Sequence, residues 1–392
     1  MFTLKLFDTP LLDFEMKREN STLQVKIFRL YDDVVSLLPL DWHISDGINS
    51  KKNPAHSLDC LEESLKRWLS QRAIPSNRAY VKSFLAKLGL SERDIPGIIA
   101  ICRGLSLNDC YWVVRENDAS TFDKRNLYDN RFSNTLGHIA FTGVGSKVPS
   151  VFASTPELTT NGALAKCWRR INGKVYLFKE GSVGFANSGN EPYAEYYASQ
   201  VATAMGVNCV PYVPTLWKGH FCSKCELFTS KRYGFISAGR LINSGGIDAV
   251  EQYCKDLGDE FEEAFSDMLV LDAIILNTDR HFGNFGFLVD NKLNEIVSPA
   301  PLFDHGMSLL YSALESDFEN EEEFQTYVQA LLPRTYDDFI GRAKQSMGRK
   351  QKEKVRGLLE FSFKKHPRYN WPSWRLKKLE NLIHERAKLL LD

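Results

Sequence analysis

The stretch ILNTDRHFGNFGFLVD at residues 275–290, together with PLFDHGMSLL at residues 301–310, decides how this chain is interpreted. The first stretch places Asp279, His281 and Asn284 in a short polar segment, and the second places Asp304 directly after an apolar pair. Upstream, EEAFSDMLVLDAIILN is apolar over most of its circumference, as is typical of a helix buried in the core of its domain. We therefore expect the polar segment to be a loop that follows a buried helix.

Two carboxylates and one carboxamide in this order suit phosphoryl transfer from ATP. The γ-phosphoryl group moves in line, so the protein mainly positions the reactants and neutralises charge. One carboxylate accepts the proton of the acceptor hydroxyl, and an amide oxygen and a second carboxylate hold Mg²⁺, a hard ion that prefers oxygen ligands. An Asp followed five residues later by an Asn places a base and a metal ligand on one loop. Protein kinases use this spacing, followed by a metal-binding Asp.

Each of these residues also has an ordinary structural interpretation. Asp279 can cap a helix or a turn, Asn284 can be a turn residue, and Asp304 can be a loop carboxylate near a glycine. His281 either braces the loop by hydrogen bonding or acts directly with phosphate, and the sequence leaves both interpretations open. The combination favours catalysis, because the polar loop follows a buried helix and precedes both FGFLV and a second aspartate.

The segment Asn277–Asn284 (NTDRHFGN) resembles the catalytic loop of the HipA-like kinases, which reads Asn-Thr-Asp-x-His-x-x-Asn. These bacterial serine/threonine kinases include the toxins of HipBA toxin–antitoxin systems, and phosphatidylinositol 3- and 4-kinases share part of the loop. The resemblance implies Asp279 as the catalytic base, with Asn284 and Asp304 as magnesium ligands. It extends over about residues 150–390 and is strongest near 275–310.

The family's phosphate loop, Ser-x-x-Gly-x-x-x-Lys, is similar to LTTNGALAKCW at residues 158–168. Thr159, Gly162 and Lys166 align with it, and Asn161 lies between them. A loop whose backbone N–H groups face a phosphate is a common way to bind nucleotides. Thr159 replaces the serine that the family autophosphorylates, so the resemblance makes Thr159 a candidate for self-phosphorylation. The ordinary alternative is a polar turn before a strand.

The remaining nucleotide contacts are expected on the strands and helix that follow this loop. Lys179, at the end of a strand in VYLFKEG, resembles the lysine that pairs the α- and β-phosphates. Glu195, in PYAEYYAS, resembles the helix glutamate that holds this lysine, although Ala194 stands where the family usually has Asn. Glu226 and Phe228, in CELF, follow later strands and are predicted to lie beside adenine.

The order of elements predicts an α+β chain with a two-lobed kinase-like fold and an additional N-terminal α/β module. The mixed module covers 1–150, the strand-rich small lobe 151–245, and the helical large lobe 246–392. Glycine and proline near 143–156 mark the first boundary. Asn172-Gly173 predicts a hairpin in the small lobe. Two further segments, SLDCLEESLKRWLSQR and KVRGLLEFSFKK, are predicted as amphipathic helices, the first capped by Ser57.

Composition excludes several classes of protein. Lysine plus arginine equals aspartate plus glutamate at 49 each, so no general attraction to nucleic acid or to an anionic membrane is expected. No apolar stretch is long enough for an ordinary membrane span, and MFTLKLFDTP lacks the features of a signal peptide. We therefore expect a cytoplasmic protein whose eight cysteines are free thiols. Cys222 and Cys225 form a CxxC without a second pair at zinc-finger spacing, so no zinc site is expected.

The resemblance implies an ATP- and Mg²⁺-dependent protein serine/threonine kinase able to autophosphorylate. A toxin of this type acts on a translation component and is restrained by a small DNA-binding antitoxin. Two alternatives stay open. One is a lipid or small-molecule kinase with the same loop, and the other is a catalytically silent, kinase-like binding module. The presence of Lys179, Asp279, Asn284 and Asp304 argues against the silent module.

Overall fold

The computed structural model describes residues 1–19, 22–43, 54–146 and 155–392. In these ranges no helix combines the length and apolar character needed to cross a membrane. The eight cysteines are free thiols, and Cys222 and Cys225 are buried. The described ranges also hold no group of three or more His, Cys, Asp and Glu side chains that could bind a metal ion.

The strands of the described residues belong to three sheets. They are β1 (Phe2–Leu6), β2 (Thr9–Glu19), β3 (Thr22–Leu30), β4 (Tyr111–Arg115), β5 (Lys166–Ile171), β6 (Lys174–Glu180), β7 (Tyr212–Trp217), β8 (His220–Glu226), β9 (Tyr233–Ser237), β10 (Gly286–Asp290) and β11 (Glu295–Pro299). The first four form an antiparallel sheet in the order β3-β2-β1-β4. The other sheets have the orders β5-β6-β8-β7 and β11-β10-β9.

The described residues form fourteen α-helices, six before residue 143 and eight after residue 190. They are α1 (Leu40–His43), α2 (Pro54–Gln71), α3 (Val81–Lys87), α4 (Ile95–Cys102), α5 (Phe122–Arg125), α6 (Asn134–Thr142), α7 (Glu191–Ala204), α8 (Ala238–Leu241), α9 (Gly246–Leu257), α10 (Asp259–Ile275), α11 (Glu321–Ala330), α12 (Phe339–Ser346), α13 (Arg349–Arg356) and α14 (Ser373–Leu391).

The chain divides into two compact units, and neither is one continuous segment. The first unit comprises residues 1–177, 229–236 and 288–297, and the second comprises 178–228, 237–287 and 298–392. The domain boundaries predicted after residues 150 and 245 stay predictions, and residues 147–154 of the predicted first boundary lie outside the described residues.

In the first unit, the apolar side chains of the early helix and sheet form the core. Helix α2 packs against β3, and Leu61, Leu65 and Trp68 are buried, as their helical spacing predicts. Leu58, at the same spacing one turn earlier, is exposed. The predicted cap at Ser57 is wrong, because α2 begins at Pro54 and Ser57 therefore lies within the helix.

The predicted hairpin at Asn172-Gly173 is confirmed. Strands β5 and β6 flank these two residues, whose φ angles are 50° and 82°. A two-residue turn with both φ angles positive matches the twist of the flanking strands, and Asn-Gly adopts it at low cost. The hairpin fixes the register of β6, whose last residues carry Lys179.

Helix α10 is the core of the second unit. Every residue from Phe265 to Ile275 is buried, and the helix packs on α7, α9, α12 and α14. The buried helix expected before the polar loop is therefore confirmed. The helix predicted from KVRGLLEFSFKK is wrong after its first three residues, because α13 ends at Arg356 and Gly357 caps it. Beyond that point the chain leaves the helix, and Phe363 packs against the ring of Tyr197 with 4.9 Å between ring centroids.

Candidate active site

The loop that carries Asp279 begins where α10 ends. Leu276 adopts a left-handed conformation with φ 53° and so terminates the helix. The next residue, Asn277, is fully buried and donates from Nδ2 to Asp272 Oδ1 of α10 at 3.0 Å. Its Oδ1 accepts the backbone N–H of Asp279 at 3.3 Å. The carboxamide of Asn277 therefore fixes the start of the loop to the most buried helix of the unit.

Arg280 holds the loop from the inside. Its side chain is fully buried and forms two bonds with Asp272, Nε to Oδ2 at 2.8 Å and Nη2 to Oδ1 at 3.0 Å. Nη1 donates to the carbonyl oxygens of Asn284 and Phe303, each at 2.9 Å. Burial alone would lower the pKa of Arg280, but the Asp272 carboxylate raises it. One guanidinium thus joins the end of the Asp279–Asn284 loop to the segment that carries Asp304.

Lys179, Glu195 and Asp304 are brought together in a buried ion-pair network. Lys179 Nζ donates to Glu195 Oε1 at 2.8 Å and to Asp304 Oδ1. Glu195 is fully buried, and its Oε2 accepts the backbone N–H of His305 at 2.9 Å. Burial would lower the pKa of Lys179, but the two carboxylates raise it, so the amine stays charged. The predicted ion pair of Lys179 with Glu195 is present in the structure, and Lys179 forms a second ion pair with Asp304.

Asp304 adopts a left-handed backbone conformation with φ 60°. This conformation is uncommon for residues other than glycine, although Asp tolerates it better than most. It is held on one side by the bond of Phe303 O with Arg280, and on the other by Asp304 N, which donates to Tyr212 Oη at 3.1 Å. The carboxylate pairs with Lys179 and is one-third exposed.

Asp279 and Asn284 lie at opposite ends of the same tight loop. Asn284 is buried and its Nδ2 donates to the backbone oxygen of Asp279 at 3.2 Å, so its Oδ1 is the atom that suits a cation. Asp279 is one-quarter exposed and pairs with the guanidinium of Arg334, which is itself more than half exposed. Asn284 Oδ1 and the Asp304 carboxylate are hard oxygen donors of the kind that Mg²⁺ prefers, and so they fit that ion by chemistry.

His281 contacts the backbone of its own loop. Its Nδ1 accepts the N–H of Gly283 at 3.0 Å, which requires Nδ1 to be unprotonated. Burial lowers the pKa of His281, although the neighbouring Asp279 carboxylate opposes this effect. Of the two interpretations left open by the sequence, these contacts correspond to bracing the loop, and a direct catalytic role for His281 stays a prediction.

The candidate phosphate loop lies in the first unit. Thr159 is buried, and its hydroxyl donates to the carbonyl oxygen of Leu105 at 2.7 Å, so phosphorylation there requires the loop to open. Asn161 and Gly162 are exposed, and Gly162 has φ 93°, a conformation that favours glycine. Lys166 is buried and donates to the carbonyl oxygen of Asn161 at 3.1 Å.

The residues predicted beside adenine lie after β8 in the second unit. Glu226 is the last residue of β8 and is exposed. The ring of Phe228 packs on the ring of Phe303, with 5.6 Å between ring centroids. Phe303 directly precedes Asp304 in the chain. The structure therefore brings Phe228 near the Lys179 and Asp304 network, while the assignment of both residues to adenine stays a prediction.

Several residues of this site carried no sequence prediction. They are Asp272, Asn277, Arg280, His305 and Arg334. His305 is fully buried, with Nδ1 3.1 Å from Arg280 Nη2 and Nε2 3.2 Å from Cys209 Sγ. Burial and the neighbouring Arg280 hold the pKa of His305 well below its usual range. For Asp272 and His305 a signal was present, because a charged or polar residue inside an apolar stretch must find a partner when it is buried.

Comparisons with known proteins match this chain by structure and not by sequence. No family model matches it, and no curated protein matches it in sequence. HipA of Shewanella oneidensis, solved with HipB and its operator DNA, aligns over 99% of this chain and 97% of its own, with a TM-score of 0.51 and 14% identity. The Helicobacter pylori proinflammatory kinase CtkA aligns over 59% and 91%, with a TM-score of 0.47 and 19% identity. The chain has the fold of HipA, so the predicted mixed, kinase-like fold is confirmed.

Proposed function

We propose that this chain is an ATP- and Mg²⁺-dependent protein serine/threonine kinase. The observation that carries the proposal is the buried network in which Lys179 bonds both Glu195 and Asp304. A lysine fixed between two carboxylates keeps its charge and its position, which is what binding to the α- and β-phosphates requires. The fold shared with HipA supports the same proposal.

In this proposal the loop after α10 performs the chemistry. Asp279 accepts the proton of the acceptor hydroxyl as the acceptor oxygen bonds to the γ-phosphorus and the bond to the bridging β,γ-oxygen breaks. Asn284 Oδ1 and the Asp304 carboxylate would hold Mg²⁺, which would neutralise charge on the phosphates. Arg280 keeps both ligands in position through backbone carbonyls. Arg334 has to leave Asp279 before an acceptor hydroxyl can take its place.

The decisive experiment compares the parent chain with Asp279→Asn in the presence of labelled ATP and Mg²⁺. We expect label in protein, including the chain itself, and at least a hundredfold loss in the variant, because general base catalysis typically contributes about 10²–10⁴-fold. Asp256→Asn is the matched control, since Asp256 is an exposed carboxylate on α9 whose partner is Gln252. Equal activity in Asp279→Asn and Asp256→Asn would remove Asp279 from the mechanism.

The same assay separates the alternative functions. Label that enters only lipid or small molecules in mixed acceptor pools indicates a lipid or small-molecule kinase. If ATP with Mg²⁺ neither transfers label nor raises the melting temperature, the chain is a catalytically silent binding module, since a ligand selective for the folded state stabilises it. Mass spectrometry of the labelled chain then decides whether Thr159 is the residue that it phosphorylates.

We further propose that the chain is a cytoplasmic toxin that acts on a translation component and is restrained by a small DNA-binding protein. The support is the similar fold of Shewanella HipA, which was solved with HipB and its operator DNA. Co-expression with the product of a neighbouring gene, followed by purification of the complex and a growth assay, tests this. The proposal predicts that Asp279→Asn abolishes growth arrest but leaves the complex intact. Arrest by the Asp279→Asn variant would contradict it.

A further inference from the structure

Two buried arginines of the segment WLSQRAIPSNR (residues 68–78) have different partners, although both lie in the first unit. Arg72 pairs with the Asp109 carboxylate and donates from Nη1 to the carbonyl oxygen of Gly104 at 3.0 Å. This is an ordinary stabilising arrangement for a buried arginine. Arg78, by contrast, directs its hydrogen bonds to the backbone of the candidate phosphate loop.

Arg78 binds three consecutive carbonyl oxygens of that loop. Nη2 donates to Thr160 O at 2.6 Å and to Asn161 O at 2.7 Å, and Nε donates to Gly162 O. The next carbonyl, that of Ala163, accepts the backbone N–H of Ala79 at 2.7 Å. The planar guanidinium can serve several acceptors at once because it carries five N–H groups in a fixed fork.

The carbonyl directions determine where the amides point. In a trans peptide the C=O of one residue and the N–H of the next point to opposite sides, and the described part of the chain has no cis peptide bonds. The N–H groups of Asn161, Gly162 and Ala163 therefore face away from Arg78. All three residues are exposed, and none of these N–H groups donates to an acceptor within the described ranges. Successive outward N–H groups form the kind of concave site that binds anions.

Charge behind the loop adds to this effect. Arg78 and Lys166 are both buried and both donate to the carbonyl oxygen of Asn161. Burial lowers the pKa of Arg78 to about 10, so it is charged near neutral pH. The buried carboxyl that opposes these cations is Glu157, and burial raises its pKa to about 7. The balance of charge on the inner side of the loop therefore favours an anion on the outer side.

We propose that Arg78 is a positioning residue for phosphate binding, which turns the amides of residues 161–163 to the outer side of the loop, where they can bind a phosphate group, by holding the carbonyls of residues 160–162. The inference rests on the proposed kinase function, since it names how the phosphates of ATP are recognised. Arg78 Nη1 is buried without a hydrogen-bond partner in the described part of the chain. A buried donor without a partner lowers stability, so burial alone does not explain why Arg78 occupies this position. Its bonds to the loop carbonyls do explain it.

The test is a comparison of Arg78→Lys with Arg72→Lys, measured by calorimetric titration with ATP and Mg²⁺ and, separately, with adenosine. Lysine keeps the charge but cannot hold three carbonyls. We expect ATP affinity to fall about tenfold or more in Arg78→Lys, because each lost hydrogen bond to a charged group has about that effect. Adenosine affinity stays as in the parent. In Arg72→Lys both affinities match the parent, although its melting temperature falls.

Gly162→Ala is a second variant that reaches the same amides without touching Arg78. A side chain at φ 93° is strained, so the loop must change conformation, and the same selective loss of ATP affinity is expected. The double variant should lose no more than the stronger single one. If ATP affinity is unchanged in both single variants, or ATP and adenosine affinities fall together, the inference is wrong while the kinase proposal stands. If the parent chain binds no ATP, both fall.

Discussion

The buried pair of Asp272 and Arg280 allows stability and activity to be separated by mutation. Asp272→Asn leaves a cation, and Arg280→Met leaves an anion, in a site where both side chains are fully buried. Removing one partner of such a pair costs about 3–5 kcal/mol in the free energy of unfolding. For a unit of this size that corresponds to a fall of roughly 6–20 °C in melting temperature.

The double variant Asp272→Asn/Arg280→Met removes both charges and should not lose the sum of the two effects. The remaining cost is mainly the loss of the donors to the carbonyls of Asn284 and Phe303, about 1–3 kcal/mol each when such a group is left unpaired. We therefore expect the double variant to lose about 2–6 kcal/mol, which is less than the roughly 6–10 kcal/mol sum of the two single effects. Its phosphoryl transfer should stay as low as in Arg280→Met, because those carbonyls position the proposed metal ligands.

The assays are urea unfolding followed by tryptophan fluorescence, and transfer of label from ATP under conditions in which each variant is folded. Arg349→Ala is the control for stability, because Arg349 pairs with Glu353 on the surface of α13 and such pairs contribute about 0.3–0.5 kcal/mol. Two results would refute the reasoning. One is simple addition of the two single effects, and the other is recovery of activity together with stability.

Two further predictions concern the exposed and the titrating groups of the site. Arg334→Ala should raise kcat/KM for the acceptor about two- to fivefold at low salt and less at high salt. The effect is small because an exposed ion pair with Asp279 contributes at most about 1 kcal/mol. A fall in kcat/KM would mean that Arg334 assists the transfer. The pKa values of His281 and His305 lie below the ordinary 6.5, so the unfolded chain binds protons there that the folded chain does not. Stability is therefore full above about pH 6.5 and falls as the pH drops below it, by up to about 1.4 kcal/mol per pH unit for each group. Melting temperatures at pH 7.5 and 5.5 should differ less in His305→Gln than in the parent chain, and an unchanged difference would exclude His305 as a cause.

The elements that the sequence predicts well are those in which local pattern and tertiary packing agree. Asn172-Gly173 favours a two-residue hairpin turn with positive φ angles, and the apolar run of α10 favours burial on all sides of the helix. The pattern failed after Arg356, where the aromatic contact of Phe363 with Tyr197 depends on a distant helix that periodicity within the segment cannot report. The sequence also did not predict that each unit is built from separate segments, with residues 229–236 and 288–297 belonging to the first unit.

Within the candidate site, the sequence identifies side chains that would meet the nucleotide but not those that hold the backbone. Asp279, Asn284 and Asp304 stand at a spacing that phosphoryl transfer explains, and the predicted pair of Lys179 and Glu195 is present. The left-handed conformation of Asp304 is tolerated by aspartate but cannot be predicted from the residue type, since bonds to the backbone on both of its sides impose it.

The roles of Arg280 and Arg78 could not be predicted from the sequence, for the same physical reason. Arg280 holds the carbonyls of residues 284 and 303, and Arg78 holds those of residues 160–162. Every residue has a carbonyl, so such a contact leaves no pattern at the accepting positions, and only the arginine itself is specified. A guanidinium suits this role because its fork of five donors satisfies several acceptors at once, whereas lysine offers three donors at a single point. Arg280→Lys should therefore impair transfer although charge is conserved, as Arg78→Lys should impair ATP binding.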